Sequence, residues 1–198
     1  VLISDEVKAE VDAEDHSGDG TATIAITAGG SVTVDRGECY LVDADVYAGN
    51  DSGDATANVA ITALDGDVNI NDGVKAEADS RDGSGNATAS VDIAASGNVN
   101  IDWDEGETVK AEATVYLPDP QNEGDATANV NIDAGGNVNI NDRVKAVAEA
   151  ELFAGDSEAG IVINAGGDVL ISDKVKAEAD AEDGSGDGSA SVTITADG

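Results

Sequence analysis

Apolar and polar residues alternate with a period of two along most of this chain. In residues 168–198, Val169 and Ile171 alternate with Asp168, Leu170 and Ser172. Val175, Ala177, Ala179 and Ala181 then alternate with Lys176, Glu178 and Asp180, and Ala190, Val192, Ile194 and Ala196 with Ser191, Thr193 and Thr195. Alternation of this kind with β-branched residues predicts half-buried strands, here three to a unit. No segment carries a sustained 3.6-residue apolar stripe, so helices are not expected.

The unit recurs. Counted from each "x-V-x-I" phrase, the repeats are 1–30, 31–66, 67–97, 98–136, 137–167 and 168–198. Their inward positions superpose: Ala57-Val59-Ile61-Ala63 in one third strand matches Ala128-Val130-Ile132-Ala134 in another. Phrases such as "AGGN" and "AGGD", and "ND" or "SD", fall at the same corners, where Gly, Asn and Asp supply tight turns. A period of this size signals stacked units that cannot bury their apolar faces alone. The expected fold is all-β, a parallel β-helix of about six coils with three strands per coil, forming one continuous solenoid over 1–198. An antiparallel sandwich or meander is the alternative. The solenoid is favoured because strand lengths differ within a repeat yet match between repeats.

Composition sharpens this picture. Aromatic residues make up 3% and Met is absent, so the interior must be thin and built of Ala, Val and Ile. Net charge is -33, from 42 acidic and 9 basic side chains. Nucleic acid and anionic membrane surfaces are therefore poor partners, and cations are natural ones. Six coils at the usual inter-strand spacing make a rod of about 29 Å. Such a charge density calls for counterions, and an acidic, Lys-poor surface is also what halophilic proteins show. The single cysteine, Cys39, excludes an intrachain disulfide. No run reaches the length of a transmembrane helix. With no visible signal peptide or initiator Met, the chain reads as processed or as part of something longer.

Candidate chemistry is sparse. The loops between second and third strands alternate acids with Gly, supplying hard oxygen ligands that suit calcium. Candidate ligands are Asp15, Asp19, Asp51, Asp54, Asp82, Asp125, Asp156, Asp183 and Asp187. The same loops also read as solvated acid with no ion, and they match neither EF-hand spacing nor the glycine-rich nonapeptide of calcium β-rolls. Asn50 and Asn86 begin sequons, meaningful for glycosylation if the chain is secreted. Insertions at 35–39, 102–108 and 116–124 place Trp103, Tyr116 and Pro118 on expected loops, as candidate contact residues or as loops packing on themselves. His16 is the only histidine, and no catalytic constellation or phosphate-cradling loop is evident, so an enzyme is not expected. Outward Thr pairs such as Thr21 and Thr23 suggest an ice-binding ladder, but Asn129, Asn131, Asp92 and Gly160 break the column.

The phrases "AGGNVNIN" (134–141) and "AGGDVLIS" (165–172) resemble the β-helical repeats of filamentous-haemagglutinin-like adhesins and other β-strand-repeat surface proteins. The resemblance implies an extracellular or cell-surface rod, adhesin or filament with no required cofactor. Residues 1–30 match 169–198 at 22 of 30 positions, and neither end carries an atypical capping repeat. The chain is thus expected either to be a window of a longer array with a super-period of 168 residues, or to stack head to tail on itself as a homopolymer. The alternative is the stalk or binding module of an adhesin that grips a host-surface or matrix ligand, or a glycan, through its loop insertions.

Overall fold

The computed structural model describes residues 1–13, 18–35, 41–49, 53–82, 85–102, 107–119, 123–182 and 185–198. Within them the alternating segments form eighteen strands in three sheets. The first sheet stacks the short strands β1 (Leu2–Ile3), β4 (Val32–Val34), β7 (Val68–Ile70), β10 (Val99–Ile101), β13 (Val138–Ile140) and β16 (Val169–Ile171). The second stacks β2 (Val7–Ala13), β5 (Val42–Ala48), β8 (Val74–Arg81), β11 (Glu107–Leu117), β14 (Arg143–Leu152) and β17 (Val175–Ala181). The third stacks β3 (Gly20–Ala28), β6 (Ala55–Ala63), β9 (Ala87–Ala95), β12 (Ala126–Ala134), β15 (Ser157–Ala165) and β18 (Gly188–Ala196).

Every pairing links a strand to its counterpart one coil away, and every pairing is parallel. The chain is therefore a β-solenoid, and the antiparallel alternative is excluded. A parallel pair cannot be closed by a tight hairpin, and here each return path is the rest of a coil.

Register follows sequence identity. β9 and β12 set Ala87 on Ala126, Thr88 on Thr127, Val91 on Val130 and Ile93 on Ile132. A one-residue slip would turn every aliphatic outward, so the alternation fixes the register. The inward columns of the middle coils, including Val59, Ile61, Val91, Ile93, Val130 and Ile132, are almost fully buried. Three sheets meeting at close range leave room for Ala, Val and Ile, which explains a core with no aromatic anchor among the described residues. That core belongs to one cluster running through all three sheets.

The terminal coils differ. Val7, Ala9, Val11 and Ile26 in the first coil are half-buried. In β18 every residue is exposed, Val192 at 44% and Ile194 at 46%, whereas their column partners Ile161 and Ile163 are at 0%. The inward pattern holds in β18, which pairs with β15 among the described strands.

Candidate functional site

The acidic loops carry a backbone device. The carboxylate Oδ1 of Asp19 accepts the Asp54 N–H at 3.1 Å, and that of Asp54 accepts the Asn86 N–H at 2.8 Å. Asn86 Oδ1 then takes the Asp125 N–H at 2.8 Å, Asp125 the Asp156 N–H at 2.9 Å, and Asp156 the Asp187 N–H at 2.8 Å. Each side chain thus binds the amide one coil further along. Without such acceptors these corner N–H groups would depend on water.

A second ladder runs along the corner between the third strand and the next first strand. Ser31 Oγ accepts the Asp67 N–H at 3.1 Å, and Asp67 Oδ1 accepts the Asn98 N–H at 2.6 Å. Asn98 Oδ1 accepts the Asn137 N–H and Asn137 Oδ1 the Asp168 N–H, both at 2.8 Å. Amide side chains extend the pattern on strand faces: Asn139 Nδ2 donates to Asn100 Oδ1, and Asn100 Nδ2 to Asn69 Oδ1, each at 2.8 Å.

Glycine precedes every rung of both ladders. A Cβ at Gly85 would strike the Gly53 carbonyl, and one at Gly124 the Gly85 carbonyl. Only glycine allows the corner backbones to approach this closely. A Gly-Asx pair at each of two corners, repeated coil after coil, was visible in the sequence. The residue types there suit tight turns and calcium, and the hydrogen-bonding column emerges only from the stacking of the coils.

The expected metal ligands therefore separate. Asp19, Asp54, Asp125, Asp156 and Asp187 are ladder rungs, and Asn86, read as a glycosylation acceptor, is the sixth. Asp82 lies off the ladder, following β8 with a φ of 57°. Asp15, Asp51, Asp183, Asn50 and Trp103 lie outside the described residues. Among the described residues no group of three or more His, Cys, Asp or Glu side chains is arranged to hold a metal ion. Tyr116 belongs to β11 rather than to a loop, paired with Arg81 and Glu151, because its alternation with buried Val115 and Leu117 continues the strand. Pro118, just beyond the strand, is exposed.

The second sheet bears the charged face. Lys75, Lys110 and Lys145 stack on one another in register, as do Glu77 and Glu112. Like charges directly opposite destabilise a sheet. Relief comes along each strand instead: Lys8 reaches Glu10 at 3.1 Å, Lys110 reaches Glu112 at 2.7 Å and Lys176 reaches Glu178 at 2.5 Å, and Lys75 pairs with Glu77 in the same way. Two substitutions break the columns. Asp43 stands between Lys8 and Lys75, and Val147 between Glu112 and Glu178.

Burial raises the Asp43 carboxyl above the ordinary range, opposed by Lys75 and Lys8. Its Oδ1 is buried without a hydrogen-bond partner. Burial likewise raises Asp45, reinforced by Glu77, and Glu149, reinforced by Glu112 and Glu151. The hydrogen bond that Lys8 donates to Glu10 raises Lys8, and the one that Glu178 accepts from Lys176 lowers Glu178.

No family model, curated protein or solved structure matches the chain. Function must be argued from its own surfaces.

Two of these stand out. One is the succession of matched coil faces, stacked like on like. The other is a basic corner beside the last coil, where Arg143, Val144, Lys145, Lys174 and Lys176 line a cleft of ≈ 90 Å³. This gathers four of the chain's 9 basic side chains at one place.

Proposed function

We propose that this chain is a structural, non-catalytic building block of an extracellular filament, in which copies stack head to tail along the solenoid axis. The observation that carries this reading is the like-on-like stacking of the coils: each strand pairs in parallel with its counterpart one coil away, and residues 1–30 match 169–198 at 22 of 30 positions. A coil of this sequence is thus a fitting neighbour for another coil of the same sequence, and an unpaired strand edge templates a further strand. A contact joining one end of the rod to the other is heterologous and does not close, so it propagates into a fibre. Cations are partners in this reading, because a chain of net charge -33 repels its own copies until screened.

The test is electron microscopy of the isolated chain across a salt series, with and without calcium. Filaments with a subunit rise of about 29 Å, six strand spacings, are expected. Single short rods under all conditions would remove the proposal.

A further inference from the structure

We infer that rods of this protein associate side by side, two copies laying the outer faces of their third sheets against each other, with Leu64 of each copy seated over Gly135 of the other. The inference does not rest on the filament reading, because it joins the flanks of the rods.

On a chain of net charge -33 the third sheet is the exception. The outward residues of β6 are Thr56, Asn58, Ala60 and Thr62, and its neighbours turn out residues of the same kind. Thr21, Thr56, Thr88 and Thr127 stack in register as one column. Across the whole outer face only Asp92, Asp133 and Glu158 carry charge. Two of these three carboxylates are engaged by the neighbouring coil: Asn131 Nδ2 donates to Asp92 Oδ1 and Asn164 Nδ2 to Asp133 Oδ1, both at 2.7 Å. The second sheet, by contrast, turns Lys75, Glu77, Lys110 and Glu112 outward. Depletion of charge is what distinguishes the core of a protein interface from ordinary surface.

Area separates this face from the other neutral one. The first sheet also turns uncharged residues outward, Asn69, Asn100 and Asn139 among them, but those strands are 3 residues long. A strand of 9 residues spans about 30 Å, and six such strands at about 4.8 Å cover about 29 Å, so the third sheet offers roughly 850 Å². A stable interface takes about 800 Å² from each partner, and the first sheet offers about a third of that.

A second copy is the occupant that suits this face. Repulsion between two such acidic chains is least where neither presents charge. The hydroxyl and amide groups of Thr, Ser and Asn both donate and accept, so the face is complementary to itself, as a two-fold contact requires. Shape fixes the arrangement. Leu64, one residue past β6, is 57% exposed. Ser96 and Gly135 follow β9 and β12 at the same register position, and all three line one open groove with Thr62 and Ala94. A two-fold axis along the strands through Ser96 carries Leu64 over Gly135 of the other copy, where no side chain stands in its way. The rods of such a pair run antiparallel. The corner ladder of Asp54, Asp125 and Asp156 then lies along one margin of the pair in both copies, so pairing depends on salt to screen it.

Small-angle X-ray scattering of the 198-residue chain across a salt series to 1 M tests this. Side-by-side pairing doubles the mass per unit length, and end-to-end stacking leaves it unchanged, so the two modes of association are read separately. The wild-type value is expected to reach twice that of a single rod and stop there, because a two-fold contact uses the face up. Thr88→Asp/Thr127→Asp puts two unpaired carboxylates at the centre of the interface, a desolvation cost that salt does not remove. That variant and Leu64→Asp should both fall back to the single-rod value. Thr33→Asp/Leu170→Asp, which adds the same charge on the first sheet, should pair as the wild type does. Circular dichroism checks that each variant keeps its β fold. A wild-type mass per unit length that stays at one rod at every salt concentration would overturn the pairing, and so would doubling that survives in Thr88→Asp/Thr127→Asp. Doubling lost in that variant but kept in Leu64→Asp would overturn the seating of Leu64 on Gly135.

Discussion

Replacing Asn86 by Asp tests what the corner ladder does electrostatically. Asn86 is the one neutral rung between Asp54 and Asp125. The substitution keeps an Oδ1 to accept the Asp125 N–H, so the hydrogen bonding is preserved. What changes is charge: two new carboxylate neighbours at about 4.8 Å, one strand spacing on either side. In water each costs about 0.9 kcal/mol unscreened, so the pair costs about 1.7 kcal/mol. Screening reduces that to about 1 kcal/mol at 0.1 M salt and about 0.3 kcal/mol at 1 M. Urea unfolding of Asn86→Asp against wild type at both salt concentrations measures it. The midpoint should fall at low salt and nearly recover at 1 M. Calcium at matched ionic strength distinguishes an ion held by the ladder from screening, since an unbroken column of six carboxylates would then make calcium specifically stabilising. A destabilisation that is the same at both salt concentrations would refute the electrostatic account. It would mean that the rung's geometry, not its charge, had been disturbed.

Two further predictions concern the interior and the charged face. Ile132→Ala in the middle of the core should cost about 2–5 kcal/mol. Ile194→Ala on the open coil should cost much less in isolated rods and become costly on assembly, which thermal unfolding at low and high protein concentration can follow. Asp43, Asp45 and Glu149 have folded-state carboxyls raised above their ordinary values. The folded rod therefore binds more protons than the unfolded chain in the window just above the ordinary carboxylate range, and stability should fall as pH rises through it. Lowering the pH from 7 toward about 5 should raise the melting temperature, and Asp43→Asn should flatten that slope. A melting temperature insensitive to pH in both proteins would contradict it.

The alternation was enough to place the strands, the inward columns and the solenoid, because a period of two leaves each residue only two directions. The corners were harder to read. Asp19, Asp54, Asp125, Asp156 and Asp187 carry the residue types of calcium loops. Their part in the corner ladder depends on which amide lies one coil away, a relation 31 to 39 residues distant in sequence. Tyr116 was misplaced for a related reason: β11 outlasts its neighbours in the first coils, so the repeat length alone set the loop boundary too early. The in-strand relief of the stacked lysines, Lys8 to Glu10 and Lys110 to Glu112, is legible only as a two-residue spacing, and the geometry shows that the side chains meet.

Stacking like on like has a consequence for how such a chain finds its fold. If every coil is an acceptable neighbour for every other, a strand that skips a coil still lands on matching residues. A nascent rod can thus be mis-threaded without any local penalty. What breaks the degeneracy is irregularity. The long strands supply it: β11 sets Leu117 on Leu152 of β14, beyond the last pair that β8 offers, Tyr116 with Arg81. Erasing such differences toward a perfect consensus should produce a chain that folds more often into the wrong order.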